Sequence, residues 1–314
     1  MYGFIVTTHH NNYETIKKCL DLLFDNIFYL ESCYIVLYVN ETKCEKVLNI
    51  KEEYDLKYQD LPFDVIYIDN QEKNGGLTAT WNQGIDYLLN NLEDFDCKVI
   101  TILGHDTFIN KDIKYLLDSA MKAQENNELK YFGPLCNSEK YTGLSLWQDL
   151  KHYKKYVVND KVNEKVNDKN DDGDFIILKE YLTGFLMTFP VISLLKNKKE
   201  NLYFNHKIYP FAGNEVEWYN RFKRIGGKPI LCTKCVINHE HNRSWLDIEY
   251  RMRKNIDNNE VFKHLFFKNK IDELNFNWKS YLLKNPDLKT KGIFNEKTAL
   301  DHYVTIGKYQ KRTY

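Results

Sequence analysis

The sequence predicts an α/β fold: a mostly parallel sheet flanked by helices, with a small helical appendage at the C-terminus. Short, continuously apolar runs alternate with amphipathic helical patterns through the N-terminal third. Such runs are typical of parallel strands that are covered on both faces. Polar residues follow each run, and ligands of these sheets bind at the carboxyl ends of the strands. The same pattern therefore predicts where a site would lie.

The N-terminal third is predicted to contain four strands and three helices. The strands are 3–8, 34–39, 63–68 and 98–103, and the helices are 13–28, 78–92 and 113–124. Polar side chains follow the four strands in turn, namely Thr8, Asn40, Asp69 with Asn70, and His105 with Asp106. Because these strand ends meet at one edge, they predict the rim of a site.

Composition excludes several classes of protein. Lys and Arg together number 44, as do Asp and Glu, so no bulk charge favours nucleic acid or an acidic membrane surface. Seven cysteines without paired spacing are typical of reduced thiols in the cytosol. No apolar run approaches the ~20 residues that span a bilayer, and the chain passes directly into a strand without a signal-peptide pattern. We expect a soluble cytoplasmic enzyme.

The helical pattern over 213–226 contains the strongest candidate for a catalytic group. Trp218, Phe222 and Ile225 lie at helical spacing and predict one buried face. Glu215 precedes Trp218 by three residues, so it falls on this face in the first turn, where a carboxylate is a candidate general base. Glu217 lies four residues before Arg221, which favours a surface ion pair. Acids at a helix start are also common as simple caps.

Three other segments are ambiguous. Gly75 and Gly76, before the 78–92 helix, allow positive φ and close approach of a ligand to the helix amides, although such turns are common in α/β proteins. Residues 181–189 read as a strand in which Gly184 favours close packing. Residues 151–174 are charged and nearly lack apolar side chains, which predicts a mobile insert, either a lid or a solvated loop.

A zinc site is suggested by residue types that bind zinc, namely Cys232, Cys235, His239 and His241, but their spacing does not suit it. Only three residues separate Cys235 from His239, whereas zinc fingers leave about a dozen. A strand over 230–237 would also point the two cysteines to opposite faces. We therefore interpret both as small core residues.

Five landmarks, taken in order, resemble the GT-A fold glycosyltransferases, most closely the inverting family 2 enzymes. They are GFIVTTHHNN, YIVLYVNET, NGGLTATWNQGI after Asp69 and Asn70, TILGHDTFI at the DxD-type metal motif, and the 213–226 helix at the Gly-Glu-Asp block. The resemblance covers residues 3–245. The remainder, 246–314, is expected to be helical, and 276–312 is similar to a tail motif that follows glycosyltransferase domains in large DNA viruses and some bacteria. A viral origin would place the protein in the host cytoplasm or the virion.

The resemblance implies metal-dependent, inverting transfer from a nucleotide-diphosphate sugar to a hydroxyl of a glycan or glycosylated acceptor. Glu215 takes the place of the family's base, and Asp106 and His239 would hold Mn²⁺ or Mg²⁺. The residues implied on the donor side are Thr8, Asn40, Asp69, Asn70, Gly76, Asn82 and His105; those on the acceptor side are Gly184 and Glu217. His105, a softer ligand than a carboxylate, favours Mn²⁺.

Two rival functions are also compatible with the sequence, and departures from the family pattern favour the first of them. Gly104 and Asn214 stand where the family carries acids, Asn40 replaces an aspartate, and Glu215 is one methylene longer than the usual base. The first rival is a non-catalytic sugar-nucleotide or glycan-binding protein with a degenerate site. The second is a nucleotidyltransferase, which ranks last because THHNNYE lacks the Gly-rich loop and basic residue expected after the first strand.

Overall fold

The chain divides into two compact units, Met1–Tyr250 and Arg251–Tyr314. A computed structural model describes residues 1–8, 13–30, 32–40, 44–59, 61–68, 76–92, 95–137, 148–150, 166–169, 174–178, 181–206, 214–240, 277–290, 293 and 299. In these ranges no helix is both long enough and apolar enough to cross a bilayer.

The first unit contains the strands and most of the helices of the described ranges. The strands are β1 (Tyr2–Thr8), β2 (Cys33–Asn40), β3 (Phe63–Ile68), β4 (Val99–Gly104), β5 (Thr107–Phe108), β6 (Lys130–Asn137), β7 (Val166–Lys169), β8 (Phe175–Leu178), β9 (Leu186–Pro190) and β10 (Lys228–His239). The helices are α1 (Tyr13–Ile27), α2 (Glu45–Leu48), α3 (Ile50–Lys57), α4 (Leu77–Asp86), α5 (Ile113–Glu125), α6 (Val191–Lys196) and α7 (Asn214–Arg224). A π-helical turn, Tyr87–Asn91, continues α4.

All described strands join one sheet in the order β3-β2-β1-β4-β9-β6-β10-β8-β7, with β5 paired to β10. The four predicted N-terminal strands are confirmed and run parallel to one another. The other half is mixed, because β9 runs antiparallel to β4 and β6, whereas β6 and β10 are parallel. The carboxyl ends of β1, β2 and β4 therefore meet at one edge, as the polar strand ends predict.

Two hydrophobic clusters cover the two faces of this sheet. Alternate residues of a strand point to opposite faces, so Phe4 and Val6 of β1 join one cluster and Ile5 joins the other. Helices α1 and α5 cover the first face with apolar residues at helical spacing. Helices α4 and α7 contribute Trp81, Trp218 and Phe222 to the second. Coverage on both faces is why the parallel strands are continuously apolar.

The predicted strand over 181–189 is wrong in its first half, because β9 begins only at Leu186. The backbone N–H groups of Leu182 and Thr183 donate to the side chains of Tyr131 and Gln148 instead of to a neighbouring strand. Hydrogen bonds to a neighbouring strand cannot form where the backbone N–H groups already donate to side chains.

Part of the expected loop at 151–174 is also a strand. β7 pairs antiparallel with β8 at the end of the sheet path. Strand pairing satisfies backbone groups without apolar side chains, which is why the composition did not predict it. Residues 151–165 and 170–173 lie outside the described residues.

Two predictions about side-chain direction need correction. Ile225 is 43% exposed, because α7 ends at Arg224 and Gly226 then turns the chain with a φ of 82°. Cys232 and Cys235 do not point to opposite faces: both are buried in the same cluster. The pairing of β10 with β6 shifts between Cys232 and Val236, and this bulge reverses the expected alternation. Their interpretation as core residues is confirmed, whereas His241 lies outside the described residues.

The second unit is described only in part. Helices α8 (Trp278–Lys284) and α9 (Asp287–Thr290) lie within it, and the Asn277 side chain caps α8 by accepting a hydrogen bond from the Ser280 N–H at 3.0 Å. Its small core is formed by Trp278, Tyr281, Leu282, Leu288, Ile293 and Ala299. Residues 246–276 of the expected helical extension lie outside the described residues.

Candidate active site

Asp106 and His239 meet at the carboxyl edge of the sheet. His105 and Asp106 form the turn between β4 and β5, and β5 pairs with the last residues of β10 so that Thr107 lies opposite His239. The pairing brings Nε2 of His239 to 3.3 Å from Oδ1 of Asp106, with 11% and 12% of the two side chains exposed. Two residues predicted to hold a metal ion are thus in contact, although they are far apart in sequence.

Gly104 makes room for the carboxylate of Asp106. A Cβ atom at Gly104 would lie 2.9 Å from Oδ1 of Asp106, closer than real Cβ contacts allow. The absent side chain is therefore a condition for the position of Asp106. Of the two acids in the family pattern, only the one at residue 106 is present, and the glycine at residue 104 leaves space for its carboxylate.

The environment of Asp106 favours its ionised form. Burial acts to raise the pKa of this carboxyl, but the hydrogen bond from His239 and the charges of His239 and His105 outweigh it and bring the pKa to about 2. Asp106 is therefore a carboxylate at any physiological pH. A hard anionic oxygen beside an imidazole nitrogen is a donor set that suits Mn²⁺ or Mg²⁺.

The starts of α4 and α7 form the other part of the site. Gly76 precedes α4 with a φ of 85°, the positive value predicted for this turn, which glycine adopts without steric cost. Gly75, the other glycine of the predicted turn, lies outside the described residues. At the start of α7, the Asn214 amide donates to the Thr78 hydroxyl at 2.8 Å, so the two helix starts are held together.

Glu215 lies in the first turn of α7, beside Gly184 and Trp81. A Cβ atom at Gly184 would lie 3.7 Å from the carboxyl carbon of Glu215 and 2.9 Å from the Trp81 ring, so only glycine fits between them. Burial raises the pKa of Glu215, and the backbone N–H groups of Glu215 and Gly184 act in the opposite direction. A carboxylate with a raised pKa at a helix start is suited to accept a proton near neutral pH.

Three predicted site residues are engaged by the chain itself. Asn40 donates to the Thr80 hydroxyl at 3.1 Å, which ties the end of β2 to α4. The Asn82 amide accepts from the N–H of Phe204 and donates to its carbonyl, at 2.8 and 2.7 Å. Glu217 forms the predicted pair with Arg221 at 2.6 Å, but the pair is not on the surface, because only 12% and 13% of the two side chains are exposed.

The other predicted residues differ in how far the structure describes them. Thr8 is buried at the end of β1, and His105 is buried in the turn beside Asp106, where its backbone N–H donates to the Thr7 carbonyl at 3.1 Å. Asp69 and Asn70 lie outside the described residues. Across the described ranges, no group of three or more His, Cys, Asp or Glu side chains is arranged to hold a metal ion.

Sequence reasoning missed four residues that support the site. Trp81 contacts Gly184, Phe185 stacks on His239, Gln148 accepts from the Thr183 N–H, and His206 contacts the Asn82 amide. Trp81 lies inside the NGGLTATWNQGI run, and Phe185 follows Gly184, so both were adjacent to residues already singled out. Gln148 and His206 had no comparable signal in the sequence.

Comparison with solved structures identifies the fold. A structure of GalNAc-T7 with UDP, GalNAc and Mn²⁺ matches 76% of this chain with a TM-score of 0.52 and 13% identity. TarS from S. aureus matches 90% of this chain, and 74% of its own, with a TM-score of 0.50 and 11% identity. The mannosyltransferase PcManGT from Pyrobaculum calidifontis, in complex with GDP-Man and Mn²⁺, matches 78% with a TM-score of 0.51 and 12% identity.

These matches establish that the chain has the GT-A glycosyltransferase fold. The chain spans 43% of the GalNAc-T7 chain and 59% of the PcManGT chain. No protein-family model matches the sequence, and a comparison with curated proteins finds no match.

Proposed function

We propose that this protein transfers a sugar from a nucleotide-diphosphate sugar to a hydroxyl of a glycan or glycosylated acceptor, with inversion and with a divalent metal ion. The observation that carries the proposal is the placement of Glu215. Its carboxyl group lies against Gly184, and the next residue, Phe185, contacts His239. Gly184 and Phe185 are consecutive, so one short stretch of backbone contacts both the candidate base and the histidine of the Asp106–His239 pair.

The residues present fit a divalent ion. Two neighbouring ligands that each lie about 2.1 Å from an octahedral ion are about 3 Å apart. Oδ1 of Asp106 and Nε2 of His239 are separated by 3.3 Å, which suits this geometry. Asp106 and His239 would hold the ion, and it would neutralise charge on the departing diphosphate.

The proposed reaction is a single displacement at the anomeric carbon. Glu215 accepts the proton of the acceptor hydroxyl while the hydroxyl oxygen forms its bond to that carbon. The bond from the anomeric carbon to the diphosphate oxygen breaks on the opposite face, and the diphosphate leaves with the electron pair. Glu215 and Gly184 belong to the acceptor side, and Thr8, Asn40, Asp69, Asn70, Gly76, Asn82 and His105 to the donor side. On the acceptor side, Glu217 acts by forming the ion pair that fixes Arg221 and α7.

The donor class is open to a direct test. The structurally similar proteins are seen in complexes with UDP, UDP-GlcNAc and GDP-Man. We would measure thermal unfolding with UDP, GDP, dTDP and CMP, each with and without Mn²⁺, because a ligand that binds only the folded state raises the Tm. We expect a metal-dependent increase with one nucleotide. Unchanged Tm values with all four would contradict the proposal.

A non-catalytic binding protein is the second candidate. The observation that favours it is at residue 214, where an amide stands in place of the family's acid and donates to the Thr78 hydroxyl. Nucleotide binding without sugar release or transfer, in the presence of Mn²⁺ and candidate acceptors, would support this alternative.

A further inference from the structure

Residues 182–185, here called the bridge segment, are fixed at successive positions although they form no strand. The Leu182 N–H donates to the Tyr131 hydroxyl at 3.0 Å, and the Thr183 N–H donates to Oε1 of Gln148 at 2.5 Å. Both acceptors are almost completely buried. Buried hydrogen bonds of this kind leave a short segment little freedom to move.

The last two residues of the bridge segment contact both parts of the proposed site. Gly184 lies against Glu215. The Phe185 ring stacks on the His239 imidazole, with ring centroids 4.9 Å apart and planes inclined by 20°. The Phe185 carbonyl accepts from the Gly104 N–H at 3.2 Å and from the Thr107 hydroxyl at 3.0 Å, on either side of the Asp106 turn.

The stacking restricts the orientation of His239. An imidazole turned about its Cβ–Cγ bond would move Nε2 away from Asp106, and the flat face of Phe185 opposes that rotation because the two planes are nearly parallel. Residues that orient a metal-binding histidine affect metal affinity without touching the ion.

We propose that Phe185 is a positioning residue that holds the His239 imidazole with Nε2 facing Asp106, and that the bridge segment thereby fixes the spacing between this pair and Glu215. The assignment of a metal ion to the pair rests on the proposed function. The orientation of His239 by Phe185 does not.

The first measurement is Mn²⁺ binding, followed through the electron paramagnetic resonance signal of unbound Mn²⁺ in the presence of UDP or GDP. We expect Phe185→Leu to weaken binding about tenfold, in the range seen for residues that orient metal ligands. Phe185→Tyr keeps the ring and should bind nearly as wild type does. Phe24→Leu is the matched control, because Phe24 is also buried but packs against Tyr54, Tyr58 and Phe63. Equal Mn²⁺ affinities for Phe185→Leu and wild type would overturn the inference that Phe185 supports metal binding.

The second measurement needs no metal. Long-range ¹H–¹⁵N spectra of the histidine rings report the tautomer and environment of each imidazole, and His239→Asn assigns the signal of His239. We expect that signal to change in Phe185→Leu and to stay unchanged in Phe24→Leu. An unchanged His239 signal in Phe185→Leu would overturn the inference. Absence of Mn²⁺ binding by the wild type would instead contradict the proposed metal site, while the spectra still decide the role of Phe185.

Discussion

Glu215 is the general base of the proposed reaction. Replacement by Gln keeps its size and removes its capacity to accept a proton. We expect Glu215→Gln to lower the rate of transfer by about 10²–10⁴-fold while nucleotide binding is retained, because general bases contribute on that order. Glu125→Gln, on the exposed end of α5, is the control. Full activity in Glu215→Gln would remove this residue from the mechanism.

The same side chain makes stability depend on pH. Burial raises the pKa of Glu215 in the folded protein above the value of about 4.3 in an unfolded chain. Between the pKa of Glu215 in the unfolded chain and its higher pKa in the folded protein, the unfolded state releases a proton that the folded state keeps. The free energy of unfolding therefore falls as the pH rises through this range and stays lower at higher pH. Glu215→Gln should therefore have a higher Tm than wild type at pH 8 and the same Tm near pH 4. A constant difference between the two proteins at both pH values would contradict this expectation.

Gly104 offers a test of how Asp106 is placed. Gly104→Ala introduces a Cβ atom 2.9 Å from Oδ1 of Asp106, which must move the carboxylate. We expect Mn²⁺ affinity to fall at least tenfold, since small displacements of ligands or catalytic groups have large effects. Gly3→Ala is the control: its Cβ would be crowded by Leu88 and Cys97, outside the candidate site. If the two variants affect Mn²⁺ binding equally, the crowding at Gly104 has no specific role.

At the scale of elements, α7 depends on Arg221 more than its sequence indicates. Arg221 bonds Glu217 and also donates to the carbonyls of Asn197 and Tyr203. Removing one partner of a buried pair typically costs about 3–5 kcal/mol. We expect Arg221→Ala to lower the free energy of unfolding by this order, as measured by urea denaturation, with the exposed Lys223→Ala as control. A loss below about 1 kcal/mol would indicate a surface pair after all.

Elements whose signals are local could be predicted from the sequence. The parallel strands and the helices α1 and α5 follow from runs and spacings within about fifteen residues, and the positive φ of Gly76 follows from its place before α4. The bulge at Cys235 and the end of the strand pattern before Leu186 could not be predicted. Each depends on partners that are distant in the chain. The bulge depends on β6, and the absence of a strand at Leu182 and Thr183 depends on Tyr131 and Gln148.

At the scale of the molecule, the sequence identified candidate residues but not their contacts. The sequence predicts both Asp106 and His239 as site residues, and the pairing of β5 with β10 brings them into contact. The sequence does not indicate Phe185 or Trp81 as site residues, because an aromatic residue in an apolar segment is indistinguishable from a core residue until its neighbours are known.

The space that Gly104 leaves for Asp106 has a consequence for how remote relatives are found. A motif written as letters at fixed spacing treats the glycine as a loss. In this structure, however, the glycine leaves the space in which the carboxylate of Asp106 lies. A search template that specifies oxygen coordinates beyond the last residue of a central strand, and accepts any nearby donor residue, would retrieve chains that a letter pattern discards.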